Sequence, residues 1–213
     1  VSLADDEARH AARVMRAQVG DQIVLFDGTG HESEATIESI DKRHCVVRSA
    51  APMLIVREPC RQIQLAVALP KPDRAKELVE RLTELGVHQL TPITCARTQR
   101  APTDSLRAKL QRIVIESSKQ CGRNVLMRIN PPVPLDSVLD TSTAGLRWIA
   151  HPDGPAIAAA MREHSDMESA SALVGPEGGF TDEEIASAGR AGYEKVGLGK
   201  RIYRVETAAA VIA

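Results

Sequence analysis

Two glycine-bearing stretches near the C-terminus hold the residues best placed for chemistry. The first reads Leu173-Val174-Gly175-Pro176-Glu177-Gly178-Gly179-Phe180, and the second reads Leu198-Gly199-Lys200-Arg201-Ile202-Tyr203-Arg204-Val205-Glu206-Thr207. Each is an apolar run that ends in a Gly-containing loop and leads into a helical pattern. With no Cβ in the way, such loops bring backbone amides and carbonyls against a ligand, and Glu177 is placed for a ligand hydroxyl. Arg204, Glu206 and Thr207 crowd one short turn after a strand, where charge is costly for packing and useful for chemistry. The plain alternatives are a tight strand-to-helix turn, an Arg204–Glu206 surface pair and a Thr207 N-cap. Two such loops in succession point to one pocket at the ends of two strands, the usual ligand position in an open α/β sheet.

Several other chemistries lack their signatures. There is no G-x-x-x-x-G-K-[ST] for a P-loop, no G-x-G-x-x-G after a strand, and no G-x-S-x-G elbow. The six histidines show no metal-ligand spacing with each other or with Cys45, Cys60, Cys95 and Cys121, so no metal is expected. With no C-x-x-C pair, the thiols read as incidental ones of a reduced, cytoplasmic protein. No apolar run reaches membrane-spanning length and no signal-peptide pattern opens the chain. The first residue is Val1, so a clipped or processed start is expected.

Aromatic residues make up 2% of the chain, so base stacking cannot be the main way of holding a nucleic acid. Net charge is −1, which argues against a generic nucleic-acid binder, but the distribution is uneven. Residues 1–60 carry 7 basic and 10 acidic side chains, residues 61–123 carry 12 and 6, and residues 124–213 carry 8 and 12. The middle segment, with its excess of +6, is the candidate polyanion surface, or else a solvated helical face.

The elements that must position these residues follow from periodicity. A helix is expected from Asp5 to Arg16, with Arg9, Arg13 and Arg16 on one face and His10 beside it. Strands are expected at 22–26, 34–40 and 45–47, with a turn at Asp27-Gly28-Thr29-Gly30; they suggest a compact barrel. Pro52, Pro59 and Arg57-Glu58 mark a linker. From Arg61 onward strands alternate with helices: a strand at 63–69, a helix from Arg74 to Leu85 with Asp73 as its N-cap, and a strand at 87–94. A helix from Asp104 to Cys121 is stopped by Gly122, and strands follow at 146–150, 172–174 and 193–198. Helices are placed at 154–164, at 182–191 behind a Thr181–Glu184 capping box, and from Thr207 onward. The alternation argues for a mostly parallel sheet with helices on both faces.

The two loops together resemble the paired signature loops of the RsmE family, small-subunit ribosomal RNA uridine-N3 methyltransferases of the SPOUT (trefoil-knot) superfamily. The resemblance extends along nearly the whole chain. His10-Ala-Ala-Arg13-Val14-Met15-Arg16, Gly20-Asp21 and Leu25-Phe26-Asp27-Gly28 are similar to that family's PUA-like domain. Thr83-Glu84-Leu85-Gly86-Val87 with Pro92 and Arg97, and Lys119-Gln120-Cys121-Gly122-Arg123, are similar to its later motifs. The chain departs from the pattern in having Tyr203 and Val205 where Leu and Thr are usual, Lys119 where Glu is usual, and Arg81 where Lys is usual.

The resemblance implies an α/β fold: a trefoil-knotted SPOUT methyltransferase domain at 61–213 behind a small PUA-like RNA-binding β-barrel domain at 1–60. The C-terminal helix is expected to be cut short at Ala213. S-adenosyl-L-methionine would lie bent against Leu173, Gly175, Glu177, Gly178 and Gly179 and against Leu198, Gly199, Ile202, Tyr203 and Arg204. Arg204, and after it Arg123, would stabilise the uracil anion, with Glu206 holding Arg204 or taking the proton. Arg9, His10, Arg13, Arg16, Arg97 and Arg100 would contact RNA. The partners implied are small-subunit 16S ribosomal RNA, as an assembled particle, and a second copy in a homodimer, without membrane or metal. The alternatives are a ribose 2′-O-methyltransferase of the same superfamily, a non-catalytic RNA-binding assembly factor, and a phosphate-ligand α/β enzyme.

Overall fold

The computed structural model describes residues 1–3, 5–41, 43–142, 144–164 and 166–213. The chain divides into two compact units, Val1–Arg57 and Glu58–Ala213.

The first unit is an antiparallel sheet. Its strands are β1 (Ser2–Leu3), β2 (Gln22–Phe26), β3 (His31–Ile40), β4 (Cys45–Ser49) and β5 (Met53–Leu54), in the order β1-β4-β3-β2 with β5 also on β3. The turn from β2 to β3 is organised by Asp27, which accepts the Thr29 hydroxyl at 2.6 Å and the Thr29 amide at 2.7 Å. Those bonds hold its carboxyl down at about 2, the Thr29 hydroxyl having the largest effect. Ala35, Ile37, Cys45 and Val47 form the core with Ala8.

The first helix differs from its expected form. The α-helical part, α1, covers Asp5–Arg9 only, and the chain continues as a π-helical segment, His10–Val14. Met15 N–H reaches back to the His10 carbonyl at 3.1 Å, and Ala17 N–H to the Ala11 carbonyl at 3.0 Å. Arg16 follows in the left-handed region with φ 53°. The i→i+5 pattern turns each residue less than an α-helix does, and the left-handed step redirects the chain. Arg16 therefore lies outside the helix whose face it was expected to share with Arg9 and Arg13.

The second unit is a parallel sheet in the order β12-β10-β11-β6-β7-β8, with β9 also on β7. Its strands are β6 (Gln62–Val67), β7 (Gln89–Thr94), β8 (Arg128–Ile129), β9 (Val133–Pro134), β10 (Leu146–Ala150), β11 (Ser169–Val174) and β12 (Glu194–Val196). The helices are α2 (Pro72–Glu84), α3 (Asp104–Cys121), α4 (Leu135–Thr141), α5 (Ile157–Glu163), α6 (Asp182–Arg190) and α7 (Val205–Ile212). Strand alternation sends β6 into two cores. Leu65 and Val67 meet Leu78, Val79 and Leu82 of α2, Val114 of α3 and Ala209 of α7. Ala66 and Ala68 meet Leu135 and Leu139 of α4, Phe180 and Ala188. No helix among the described residues is long and apolar enough to cross a membrane.

Local signals set most helix ends. The Thr103 hydroxyl caps α3, accepting Leu106 N–H, and Gly122 closes it with φ 74°. Both arms of the Thr181–Glu184 capping box form at α6. Three starts differ from expectation. Lys71 occupies the N-cap of α2 and Pro72 its first position, which suits a residue with no N–H, so Asp73 lies inside the helix. The helix expected from Gly154 starts at Ile157. The last helix starts at Val205, not at Thr207, and Arg204 takes the cap position without a side-chain bond.

Candidate active site

Because the strands of the second unit are parallel, their C-terminal ends open along one edge. β11 ends at Val174 and β12 at Val196, and only β10 lies between them. Two strand spacings amount to about 10 Å, so both glycine loops leave the same edge close together. The first loop is a turn closed by Gly179 N–H on the Pro176 carbonyl at 2.8 Å. Arg97 clamps it from outside, Nη1 donating to the Gly178 carbonyl at 2.7 Å and to the Phe180 carbonyl at 3.2 Å.

The second loop begins with a backbone crossing. Gly197 N–H donates to the Pro155 carbonyl at 2.7 Å, and Ile157 N–H to the Gly197 carbonyl at 3.0 Å. A Cβ on Gly197 would overlap the Gly154 carbonyl oxygen, and one on Gly154 would come 2.6 Å from the Val196 backbone. Beyond it the chain is irregular to residue 204, with Gly199 at φ 122°. Among the described residues no acceptor in the protein meets the backbone N–H groups of residues 198–204. A run of free amides beside a glycine turn is suited to a polar ligand.

The charged groups pair differently from expectation. Glu206 is 4% exposed, and its Oε1 lies 3.8 Å from Arg74 Nη1. Arg74 Nη2 donates to Glu177 Oε1 at 3.1 Å. One guanidinium from the first turn of α2 thus joins the two loops. Sequence reasoning missed Arg74, whose only sequence signal was membership of the basic middle segment. Glu206 Oε2 is buried without a hydrogen-bond partner among the described residues. Arg204 is exposed and makes no side-chain hydrogen bond or ion pair among the described residues, so the expected Arg204–Glu206 pair is not formed.

Two expected site residues lie elsewhere. Arg123 is 6% exposed. Its Nε and Nη2 bind Glu58 at 2.8 and 2.5 Å, and Nη1 and Nη2 donate to the Thr83 and Val87 carbonyls at 3.1 and 2.9 Å. Val87 precedes β7, so this cluster lies at the N-terminal edge of the sheet, about 20 Å of strand from the loops. Arg123 is thus held as a strut of the fold, at the sheet edge opposite the two glycine loops. Leu173 is fully buried and its backbone is paired with β6 and β10, so it supports the first loop from beneath without lining it.

Leu198 and Tyr203 pack partly on the core, whereas Ile202 is 92% exposed. Just after β7, the Cys95 thiol is pushed up to about 12 by burial and then by Glu184. It stays protonated and is unsuited to act as a nucleophile.

The residues expected to meet RNA are unequally available. Arg9 pairs with Asp6, His10 is half-buried, and Arg13 and Arg16 are exposed. Arg97 is engaged by the first loop, while Arg100 is exposed. Much of the basic excess in the middle segment is spent inside the unit: Arg61 donates to the Met167 and His164 carbonyls, Arg107 to that of Ile129, and Lys119 to Glu116. Lys71, Arg100, Lys109 and Arg112 remain exposed without a partner among the described residues.

Comparison with known proteins bears on the same two units. Residues 56–213 match the family described as RNA methyltransferase domain, and residues 3–48 the family described as RNA methyltransferase PUA domain. The ribosomal RNA small subunit methyltransferase E of Synechocystis is 30% identical, with 99% of this chain and 70% of that protein covered. A methyltransferase of Legionella pneumophila, solved with bound cofactor SAM, superposes with a TM-score of 0.91 at 32% identity, covering 99% of this chain and 88% of that one. The ribosomal RNA small subunit methyltransferase E of Neisseria gonorrhoeae, solved bound to S-adenosyl methionine, gives a TM-score of 0.87 at 28% identity over 99% and 87% of the two chains. With its parallel sheet, its paired glycine loops and both family matches, the chain belongs to the ribosomal RNA small subunit methyltransferase E family.

Proposed function

We propose that this protein transfers a methyl group from S-adenosylmethionine to N3 of a uridine in 16S ribosomal RNA of the small subunit. The observation that carries the reading is the pair of glycine loops leaving one sheet edge, tied by Arg74, with an unengaged Arg204 between the second loop and α7. The residues fit the cofactor: residues 198–204 offer free backbone amides, and Gly178 and Gly199 present no side chain to obstruct it. When bound, S-adenosylmethionine supplies an activated methyl group on a sulfonium. N3 must give up its proton, here to solvent, and the negative charge this leaves on the uracil oxygens lasts until N3 takes the methyl. Arg204, with paired donors and no competing partner, is the group to stabilise it.

The first unit, with exposed Arg13 and Arg16, is assigned to RNA binding; Arg100 adds to it from the second. The protein is expected to act in the cytoplasm as a homodimer on the assembled small subunit. The close crossing of Gly154 and Gly197 supports a knotted chain path through the second loop.

The test is methylation of small-subunit particles with labelled cofactor, followed by nucleoside mass analysis and mapping of the labelled base. N3-methyluridine at a single position is the expected product. A ribose 2′-O-methyl product would refute the ring-nitrogen assignment, and no transfer by a protein that still binds RNA would favour an assembly factor.

A further inference from the structure

Arg74 has no part in the chemistry just described, yet its placement is costly unless it serves that site. It lies in the first turn of α2, just after Pro72 at the helix start, where the helix macrodipole disfavours a cation. The compensation comes from far away in the chain: Glu177 is 103 residues distant and arrives on the first loop, and Glu206 arrives on α7. Val205 and Ala209 of α7 sink into the core and carry the Glu206 side chain in with them. One of its oxygens faces Arg74 and the other, Oε2, is buried with no hydrogen-bond partner among the described residues. An unpaired buried carboxylate oxygen is unfavourable unless a donor arrives with a ligand.

We propose that Arg74 is a positioning residue for the methyl donor. Its guanidinium, held between Glu177 and Glu206, sets the separation of the two glycine loops and fixes the Glu206 carboxylate with one oxygen left for a donor group of the cofactor. The inference rests on the function proposed above. A guanidinium fork spans two carboxylates at once, whereas a lysine ammonium is a single point of charge. Arg74→Lys therefore keeps the charge and loses the bridge.

The experiment is calorimetric titration of S-adenosylmethionine into wild type, Arg74→Met, Arg74→Lys and Glu177→Gln, alongside methylation kinetics on small-subunit particles and a thermal scan of each cofactor-free protein. Arg74→Met weakens cofactor binding by about tenfold or more, the usual loss for a hydrogen bond to a charged group. It raises the KM for cofactor in step, and leaves kcat at saturating cofactor within about threefold, since Arg74 does not touch the reacting ring. Arg74→Lys recovers part of the affinity. Glu177→Gln, which alters the exposed arm alone, gives a smaller loss.

Unchanged cofactor affinity in a folded Arg74→Met protein overturns the inference while leaving the function standing. If that variant does not fold, full affinity in Arg74→Lys overturns it equally. A fall in kcat with no change in cofactor KM also overturns it, because it would place Arg74 in the chemistry itself. A wild-type protein that binds no S-adenosylmethionine overturns the function reading and this inference together.

Discussion

Arg123→Met separates a structural arginine from a catalytic one. The side chain is buried and makes four hydrogen bonds, two to Glu58 and one each to the Thr83 and Val87 carbonyls. Their losses are unequal. The Thr83 carbonyl keeps the Gly86 N–H at 3.2 Å, so it stays satisfied. Among the described residues the Val87 carbonyl has no second donor, and stranding it costs about 1–3 kcal/mol. Glu58 is left half-enclosed without its cation, and breaking a buried pair from one side costs about 3–5 kcal/mol in all. The expected loss is about 4 kcal/mol, or roughly 8–16 °C in Tm for a unit of this size. Urea unfolding measures the loss directly. Glu58→Met together with Arg123→Met removes both charges and recovers part of it, since a pair replaced by apolar groups is often close to neutral. Below its transition, the folded single variant keeps methyl transfer within about threefold of wild type. Loss of methylation with an unchanged urea midpoint would refute this reasoning and return Arg123 to the catalytic site.

Arg204→Ala has no partner to strand, so Tm stays within about 1 °C while kcat falls by about 10²–10³, the usual cost of one oxyanion donor; near-normal turnover removes Arg204 from the mechanism. Gly197→Ala drives a Cβ into the Gly154 carbonyl and costs about 3 kcal/mol or more. Gly189→Ala in α6 meets nothing within 4 Å and adds about 0.5–1 kcal/mol; equal shifts in the two urea midpoints would contradict the backbone crossing. Arg13→Glu on the exposed surface of the first unit weakens RNA binding several-fold in a filter assay and leaves the cofactor Kd unchanged; parallel loss of both would contradict separate roles for the two units.

The helix of Asp104–Cys121 was readable to the residue, and so was the capping box at α6, because both are determined within a few positions. The parallel sheet was equally legible, since strand and helix periods alternate through the second unit. Where the reading failed, the cause was tertiary. Nothing within five residues of His10 announces a π-helix. Nothing local tells Asp73 from Lys71 as a cap when Pro72 can occupy the first turn. The short strands β8 and β9 and helix α4 carry too few periods to register. The two glycine loops stood out by composition, but their charges could not be paired from sequence. Arg204 and Glu206 are near neighbours in the chain, and neighbour logic joined them, while the fold gives Glu206 to an arginine on another helix.

The basic middle segment is a second place where charge is settled by the fold. An excess of +6 suggested a polyanion surface, but a count of charges does not say where they point. Arg97 and Arg107 donate to backbone carbonyls, which are neutral, so among the described residues they tie segments together without cancelling charge, and Arg61 donates to carbonyls as well. Arg123 and Arg74 meet carboxylates and are neutralised locally. Lys71, Arg100, Lys109 and Arg112, the last two on α3, face solvent without a partner among the described residues, while exposed Lys76 and Arg81 lie 3.7 and 4.0 Å from Glu80 and Glu77. Within this segment, and among the described residues, these four can displace counterions from RNA without first breaking an internal bond. Much of this segment's arginine content therefore reflects the work of tying loops and helices to the parallel sheet of the second unit, and less of it than the sequence implied reflects contact with nucleic acid.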